Sequence, residues 1–421
     1  MKNGIFSSAD ILLPDFKKVD GTAWAVVACD QFTSEPAYWE RAEKLTEGKP
    51  SALNLILPEV YLKEAGERFP IINRTMHEYR RDILVNHPDS MIYLERTQSD
   101  GTIRRGIIGK VDLEAYDYRR GTDAGIRATE GTVLERIPPR VAIRREAELE
   151  LPHIMALIDD PGEQVIEPLT GKTEAFEKAY DFDLMLGGGH VRAWYLDDAA
   201  KKAVDEALVG LTTPEQMEAK YGDRTLPPLP FAVGDGNHSL AAAKEAYNLI
   251  KAQIGEEAAR VHPARYALVE IVNLHDAALK FEPIYRVVFG ADRVDLLGAL
   301  RTYAASLAGE QHAQKVTCLF AGGSEEIAFA HPTQQLTVGT LQAFLDTYLA
   351  SHPGVGIDYI HGEASVRTLS ERPDAVGFLF DGMAKDQLFK TVIYDGALPR
   401  KTFSMGHAED KRYYLEARSL K

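Results

Sequence analysis

Cysteine is scarce in this sequence. Cys29 and Cys318 are the two cysteines among 421 residues, and they lie far apart without the spacing of metal ligands. A disulfide framework is therefore excluded, and the pair fits a reducing compartment. We accordingly expect a cytoplasmic protein.

Long apolar runs and an excess of positive charge are missing as well. No stretch reaches the roughly 18 apolar residues of a membrane span, and the apolar run near the N-terminus is too short for a signal peptide. Acidic residues number 63 against 48 Lys and Arg, for a formal net charge of −15. Such a chain lacks the basic surface that general nucleic-acid binding needs. We expect a small-molecule substrate and no membrane or nucleic-acid partner, while the oligomeric state stays open.

The common nucleotide-binding motifs are absent too. The sequence has no G-x-x-x-x-G-K-[ST], no G-x-G-x-x-G and no H-R-D and D-F-G pair. Any nucleotide must therefore be bound in a less common way.

The chain has enough apolar residues to form a sizeable core, because 45% of its residues are hydrophobic. That composition and length suit a chain of two or three folded domains.

The most informative stretch runs from Leu229 to Ile250 (LPFAVGDGNHSLAAAKEAYNLI). It opens as a short apolar run and ends as an alanine-rich run with apolar residues at helical spacing. The pattern predicts a strand, a turn from Gly234 to Ser239, and a helix. A helix that starts after such a break presents unpaired backbone N–H groups. These groups and the helix dipole favour a bound anion.

This turn has a structural interpretation as well as a functional one. Asp235 or Asn237 is a suitable helix cap, and glycine is common in tight turns. Gly236, His238 and Ser239 are also placed to face a ligand. Two glycines, a histidine and small polar residues within six positions favour a site, with a purely structural turn as the alternative.

The run GDGNHSLAAAKE resembles the D-G-H-H-R-x-x-A-A signature of a bacterial family, domain of unknown function 1015. That signature is similar to the helix-start motif of the ParB/sulfiredoxin superfamily, which includes free-serine kinases and places the motif at a nucleotide phosphate. The resemblance implies an α/β (α+β) fold: a ParB/sulfiredoxin-like nucleotide-binding core with an additional C-terminal α/β lobe. This sequence has Asn237 where the family usually has His, and Ser239 where it usually has Arg. Another basic residue must then supply the missing charge.

An early acid is the next candidate. The run Trp24 to Ala28 predicts a buried strand, and Asp30 lies just beyond its end. That position often carries a ligand-facing acid in α/β folds, although Asp30 and Thr33 would also suit a plain turn. The segment is similar to the family's early A-P-P-Y-D strand and loop, which implies a site role for Asp30.

Two further stretches carry candidate anion-binding residues. Arg127 to Arg140 predicts an arginine-containing loop where the family has a His-Glu loop followed by an arginine, so Arg140 is a candidate; a solvated charged loop is the alternative. His190 and Arg192 alternate on one face of a predicted strand that is similar to the family's H-R-x-W strand. They are placed to hold an anion, although a hydrogen-bonded structural histidine fits the pattern equally well.

Basic residues near the C-terminus complete the candidate site. The segment from Lys280 to Arg286 resembles the family's L-P-T-H-R, which makes Arg286 a candidate for the charge missing at Ser239. From Arg400 to Lys421 there are six Lys or Arg against three acids, and the stretch resembles an R-K-T-F-S-M-G motif of one family branch. We expect this tail to return to the cleft, with Arg400, Lys401 and Lys411 or Arg412 near a phosphate.

The domain prediction follows from a change of pattern near Phe289-Gly290, beyond which helices and strands alternate as in a small α/β lobe. We expect a catalytic core with an N-terminal elaboration at 1–290, the lobe at 291–395, and a basic tail at 396–421 packed on the cleft. In the lobe, Asp358, His361 and Glu363 fall at one strand end. One histidine and two acids without fixed geometry do not define a metal site.

These residues suit phosphoryl transfer, which needs positioned positive charge, backbone donors and often a carboxylate-held metal. Asp235 or Asp30 would hold Mg²⁺ or serve as base, and His238 would stabilise the transferring group or act as acid. We expect a phosphotransferase acting on a small hydroxylated metabolite, and the resemblance to free-serine kinases implies serine with ADP or ATP. A phosphoserine-type phosphatase needs the same anion clamp. A third alternative is a non-catalytic nucleotide- or metabolite-binding regulatory protein, which the departure from the family pattern at Ser239 supports.

Overall fold

The structure, a computed structural model, describes residues 4–132, 137–151, 153–309 and 313–421. The α-helices of these residues are α1 (Gly21–Trp24), α2 (Pro36–Thr46), α3 (Ala65–Asp82), α4 (Ile137–Glu146), α5 (Asp198–Gly210), α6 (Pro214–Tyr221), α7 (Asn237–Ile254), α8 (Glu256–Ala259), α9 (Arg293–Ser306), α10 (Thr337–Ser351), α11 (Glu363–Ser370) and α12 (Asp386–Tyr394).

The strands of the same residues are β1 (Phe6–Ser7), β2 (Ala9–Pro14), β3 (Val26–Val27), β4 (Leu84–Ser90), β5 (Ile92–Thr97), β6 (Ile103–Asp112), β7 (Tyr116–Asp117), β8 (Ile126–Ala128), β9 (Leu149–Glu150), β10 (Met155–Ile158), β11 (Glu177–Asp183), β12 (His190–Tyr195), β13 (Phe231–Asp235), β14 (Tyr266–Asn273), β15 (Phe281–Phe289), β16 (Gln314–Phe320), β17 (Gly323–Phe329), β18 (Gly356–His361), β19 (Ala375–Leu379), β20 (Phe403–Met405), β21 (Tyr413–Tyr414) and β22 (Arg418–Ser419). The mixture of helices and strands confirms the predicted α/β class.

The chain divides into two units. The first comprises residues 1–128, 132–279 and 407–421, and the second comprises 129–131 and 280–406. The division falls earlier than the predicted boundary at 290, because β15 pairs with β18, β19 and β20 of the second unit. The tail is also divided: residues 396–406 belong to the second unit and residues 407–421 to the first.

A ten-stranded mixed sheet organises the first unit, in the order β11-β12-β5-β6-β14-β10-β13-β8-β7, with β1 added to β6. β5 and β6 form a hairpin, pairing antiparallel around the Asp100-Gly101 turn. β13 runs antiparallel to β10 and parallel to β8. Asp235, at the end of β13, therefore lies opposite Met155 at the start of β10.

The helix α7 is fixed to this sheet by its apolar face. Leu240, Ala243 and Tyr247 recur at helical spacing and are buried in one hydrophobic cluster with Phe231 and Val233 of β13. Fully burying a side chain of leucine size contributes about 1.5–3 kcal/mol. The packing therefore holds the first turn of α7 directly beyond the end of β13, as the sequence predicted.

A second hydrophobic cluster joins the N-terminal elements to the end of the chain. Trp24 and Val26 are buried with Tyr413 and Leu415, and the indole Nε1 of Trp24 donates to the carbonyl of Leu415 at 2.8 Å. β3 pairs antiparallel with β21. This cluster fixes the segment that leads to Asp30.

The second unit has its own sheet in the order β17-β16-β19-β15-β18, with β20 paired to β15. Helices α9 to α12 alternate with its strands as the sequence predicted. Leu296, Leu300, Leu341 and Leu345 are buried on α9 and α10. The small α/β unit is thus built from local amphipathic elements.

The strand predicted over Trp24 to Ala28 is shorter in the structure, where β3 comprises Val26–Val27. Trp24 instead ends the short helix α1, because Asp20 caps that turn through the N–H of Thr22. Elsewhere in the first unit, Asp159 and Asp160 are buried, and Asp159 is hydrogen-bonded to Tyr221 and His275.

The arginine-containing stretch Arg127 to Arg140 is a loop only in part. Arg127 lies in β8 and donates through Nε to the carbonyl of Ala124 at 2.8 Å, while Arg140 lies in α4. Residues 133–136 lie outside the described residues. In the described part of the chain, no helix has the length and apolar character needed to cross a membrane.

Candidate active site

The junction between β13 and α7 is the centre of the candidate site. Gly236 joins them with φ of +80°, and a Cβ added there would lie 3.0 Å from the Cα of Ile154. Only glycine accepts both the left-handed backbone and this close approach without strain. The geometry of this turn therefore explains why residue 236 is a glycine.

The first turn of α7 carries no side-chain cap from the described residues. The predicted cap by Asp235 or Asn237 is thus wrong: the Oδ1 of Asp235 instead accepts the N–H of Gly236 at 2.8 Å. Asn237, His238 and Ser239 are the first three residues of α7, and each is partly exposed. Backbone N–H groups and the helix dipole make this position favourable for an anion.

A cation from the end of the chain lies beside this turn. The Nζ of Lys411 is 3.5 Å from the Oδ2 of Asp235, and both side chains are 20% exposed. The tail therefore reaches the central motif, as predicted, and it does so through Lys411. A helix start, a carboxylate and an ammonium group meet at one place in the first unit.

The backbone around Lys411 is held from the sheet. The guanidinium of Arg96 donates to the carbonyls of Glu409 and Lys411, and Arg104 donates to the carbonyl of Asp410 at 3.0 Å. Ser99 donates to the carboxylate of Asp410 through both its N–H and its hydroxyl, each at 2.8 Å. These contacts fix the position from which Lys411 approaches Asp235.

Asp30 lies in a second polar group of the first unit. Its Oδ2 is 4.0 Å from the Nε2 of His153, and the Nδ1 of His153 is 2.8 Å from the hydroxyl of Tyr414. Burial acts to raise the pKa of Asp30, but His153, a hydrogen bond from Gln31, and Lys411 together hold that pKa below its usual value. Asp30 is therefore a carboxylate at neutral pH.

His153 and Tyr414 are the residues that the sequence reasoning missed. His153 is buried in the apolar stretch LELPHIMALI, where a lone histidine is the one signal that marks it. Tyr414 also donates to the Sγ of Cys29 at 3.0 Å. Burial, with the charge of Asp30, raises the pKa of Cys29 to about 12. The thiol stays protonated and is no nucleophile at neutral pH.

Arg140 is placed near this group. It lies on α4, which packs against α7 through Val141 and Ala242, and its guanidinium pairs with Glu59. Arg140, His153 and Ser239 line the same cavity. The structure therefore brings Arg140 together with the start of α7.

His190 and Arg192 lie elsewhere in the first unit. They belong to β12, which is separated from β13 by four strands of the sheet, or roughly 24 Å at the usual strand spacing. Both nitrogens of His190 contact acids, Asp183 at 2.7 Å and Asp181 at 2.8 Å, and Arg192 pairs with Glu95. The prediction that they join the phosphate site is wrong, because strand order had separated the two stretches.

Arg412 is a buried structural residue. Its guanidinium pairs with Glu270 at 2.9 Å and also with Glu416. Burial acts against the charge of Arg412, but Glu416 and Glu270 raise its pKa above the usual value. The predicted phosphate contact is wrong for this residue, since its charge is used to anchor the tail.

Arg286, Arg400 and Lys401 belong to the second unit. Arg286 is fully buried and donates to Gln342 at 3.0 Å and to the carbonyls of Lys401 at 2.9 Å and Arg400 at 3.0 Å. The side chains of Arg400 and Lys401 each lie 5.3 Å from the ring centre of Tyr359. The cation beside Asp235 is thus Lys411, while Arg286 fastens β15 to the Arg400-Lys401 segment.

The described residues contain no group of three or more His, Cys, Asp or Glu able to hold a metal ion. Asp235 offers one carboxylate, of which Oδ1 already accepts the Gly236 N–H. Mg²⁺ is commonly bound by one or two carboxylates together with substrate phosphates. The donor set fits an ion carried by a nucleotide phosphate and does not fit one held by protein alone.

Comparison with known proteins assigns the chain to a family. The profile of the family described as protein of unknown function (DUF1015) matches residues 13–348. The chain belongs to this family. The resemblance read from the GDGNHSLAAAKE motif is confirmed over well more than half of the sequence. A search of curated proteins finds no match.

Three solved structures illustrate what the fold is similar to. A free serine kinase mutant in complex with ADP is 11% identical, with 72% of this chain and 93% of that chain covered and a TM-score of 0.36. A conserved hypothetical protein from Pyrococcus furiosus is 10% identical, with coverage of 73% and 97% and a TM-score of 0.33. SbnI with a C-terminal truncation, from Staphylococcus aureus, is 9% identical, with coverage of 71% and 82% and a TM-score of 0.33. Likeness at this level carries no conclusion about the activity of this chain.

Proposed function

We propose that this protein is a phosphotransferase that moves a phosphoryl group between ADP or ATP and the hydroxyl of a small metabolite. One observation carries the proposal: the first turn of α7, which has no side-chain cap, follows directly after Asp235, whose carboxylate lies 3.5 Å from the ammonium group of Lys411. Charged phosphate oxygens are stabilised by this combination of backbone donors and a cation. Free serine, suggested by the motif resemblance, is the first acceptor to test.

Each residue of the candidate site has its own role in the proposed transfer. The N–H groups of Asn237, His238 and Ser239 bind phosphate oxygens, and Lys411 neutralises the charge that spreads over them during transfer. Asp30 is held ionised by its neighbours, so it accepts a hydrogen bond from the acceptor hydroxyl and then its proton. Asp235 orients the turn through Gly236 and would hold a magnesium ion that arrives with the nucleotide.

Magnesium, when bound with the nucleotide, would neutralise phosphate charge and align the terminal phosphoryl group. Asp235 would be its protein ligand. Lys411 then serves a second purpose, because it holds the carboxylate in place before the nucleotide arrives.

The test is a ³¹P NMR assay of the purified chain with Mg²⁺. One sample holds serine with ADP or ATP, and the other holds phosphoserine alone. Any phosphoserine that forms should require nucleotide. Asp235→Asn should reduce the rate by about 10²–10³, the usual cost of removing a preorganised electrostatic group.

A matched control is Asp358→Asn in β18. The Oδ1 of Asp358 accepts the N–H of the next residue at 2.8 Å, as the Oδ1 of Asp235 does, and Asn keeps this acceptor, so the control shows the effect of removing one carboxylate charge outside the candidate site. Phosphate released without nucleotide would replace the proposal with a phosphatase. Nucleotide binding without turnover on any acceptor would replace it with a regulatory binding protein.

A further inference from the structure

A cavity of about 200 Å³ lies in the first unit beside the candidate site. Ser239 of the first turn of α7, together with Cys29 and His153, lines it. The cavity thus begins where the proposed phosphate site lies. A molecule that places its hydroxyl near Ser239 would extend into this space.

The rest of the cavity wall is mostly apolar. Ile72 and Met76 of α3, Ile143 of α4, and Leu149 and Leu420 line it. All but Ile143 are buried. An apolar wall stabilises an apolar ligand, whereas burying a charged group without a partner there is unfavourable.

The charged side chains on the wall already have partners. Arg144 and Arg418 both donate to Glu150. Burial acts to raise the pKa of Glu150, but these two arginines hold it below the usual value, so the group stays ionised and paired. Arg140 pairs with Glu59. A zwitterion such as free serine would have to compete with these pairs for both of its charges.

Size sets the scale of the ligand. An apolar cavity of about 150 Å³ accommodates a benzene molecule, so this one admits a body of about phenyl size. The whole serine molecule has about as many non-hydrogen atoms as benzene, so the apolar wall, and not the volume, distinguishes the two ligands.

We propose that the acceptor of this site is a primary alcohol with an apolar body of about phenyl size, bound in this cavity with its hydroxyl toward Ser239 and His153. The inference rests on the proposed phosphotransferase function and names its substrate class. In the step, the hydroxyl oxygen bonds to the terminal phosphorus of ATP, and the bond to the bridging oxygen breaks with its electron pair leaving on ADP. The hydroxyl proton passes to the carboxylate of Asp30.

The test uses benzyl alcohol as the probe and the full chain in saturation-transfer NMR, with serine measured in parallel. We expect saturable binding of benzyl alcohol and weaker binding of serine. Ala147→Leu adds three carbons to the cavity wall and should abolish the signal. The matched control, Ala199→Leu, adds the same carbons on the exposed face of α5 and should leave binding unchanged.

Circular dichroism shows whether each variant is folded. If Ala147→Leu does not fold, Met76→Ala takes its place: it enlarges the cavity, and 1-naphthylmethanol should then bind about tenfold tighter than to the unmodified chain. Absence of saturable benzyl alcohol binding, or equal binding to a folded Ala147→Leu variant, would overturn the inference.

The two proposals fail separately in these experiments. Formation of phosphoserine without benzyl alcohol binding would refute the cavity and leave the phosphotransferase. Benzyl alcohol binding without phosphoryl transfer to benzyl alcohol or any other alcohol would refute the acceptor role, whatever else occupies the cavity.

Discussion

At the scale of single residues, the candidate site depends on charges that come from distant parts of the sequence. Lys411 faces Asp235, and Asp30 faces His153. None of these pairs is an exposed surface contact, since Lys411 and Asp235 are each 20% exposed and His153 is buried. Partial burial strengthens such contacts relative to surface ion pairs.

The first prediction concerns Lys411. Lys411→Gln removes the cation next to the start of α7, and we expect the Kd for ADP to rise about tenfold, or about 1.4 kcal/mol. Lys411→Arg keeps the charge and should retain most of the affinity. Isothermal titration calorimetry measures both, and equal affinity of the Gln variant and the unmodified chain would show that Lys411 takes no part in binding.

The second prediction concerns pH and Asp30. Because its pKa is lowered on folding from the unfolded value near 3.8, Asp30 stabilises the folded state at neutral pH. That contribution is lost as pH falls through the folded pKa. Asp30→Asn should therefore lower the free energy of unfolding at pH 7 and cost much less at pH 3.

Urea unfolding at both pH values measures this difference. A cost of Asp30→Asn that is the same at pH 3 and pH 7 would mean that the charge of Asp30 contributes nothing to stability, and the ionic contact with His153 would have to be abandoned.

At the scale of elements, the junction of β13 and α7 is the decisive feature. The strand is fixed by its neighbours β10 and β8, and the helix by its buried apolar face. Gly236 is the single residue that turns one into the other. The position of the candidate site thus follows from sheet order and helix packing, and Gly236 provides the backbone turn that joins the strand to the helix.

The third prediction tests this glycine. Gly236→Ala places a Cβ 3.0 Å from the Cα of Ile154 at a φ of +80°, whereas Gly48→Ala has a similar φ of +71° and no atom within 4 Å. The left-handed conformation alone costs about 1–2 kcal/mol in each. We expect Gly236→Ala to lose more unfolding free energy than Gly48→Ala in urea, together with weaker ADP binding.

Equal losses of unfolding free energy in the two alanine variants would show that the backbone of Ile154 shifts at no energetic cost. Close packing at Gly236 would then have no energetic role. The difference between the variants, and not either value alone, is the quantity that tests the junction.

At the scale of the whole molecule, the chain leaves the first unit after Leu279 and returns to it at His407. The returning residues supply β21 and β22, which pair with β3 and β9. They also supply Lys411 and Tyr414 to the candidate site. The first unit is therefore completed by the last segment of the sequence.

The fourth prediction follows from this arrangement. Truncation after Gly406 removes the partners of β3 and β9 and leaves Glu270 without Arg412. Removing one member of a buried ion pair costs about 3–5 kcal/mol. Hydrogen exchange should show lost protection in β3 and β9, with the strands of the second unit still protected; unchanged protection of β3 and β9 would contradict the assignment of the tail to the first unit.

Much of the fold was predictable because its signals are local. The helical spacing of apolar residues such as Leu240, Ala243 and Tyr247 identified α7. The short strand β1 escaped prediction, because it consists of two residues whose partner strand lies elsewhere in the sequence. The site roles of Asp235, His238 and Asp30 stay predictions that the proposed assays test.

The sequence by itself determined the α/β class, the family and the strand-turn-helix motif, since these depend on periodicity and on residues that are neighbours along the chain. Tertiary structure alone decided which charges meet. It separated His190 and Arg192 from Asp235 by strand order, buried Arg412 as an anchor, and brought Lys411 and His153 to the site. Side chains hundreds of residues apart become neighbours only through sheet topology and the return of the chain, and neither leaves a local pattern in the sequence.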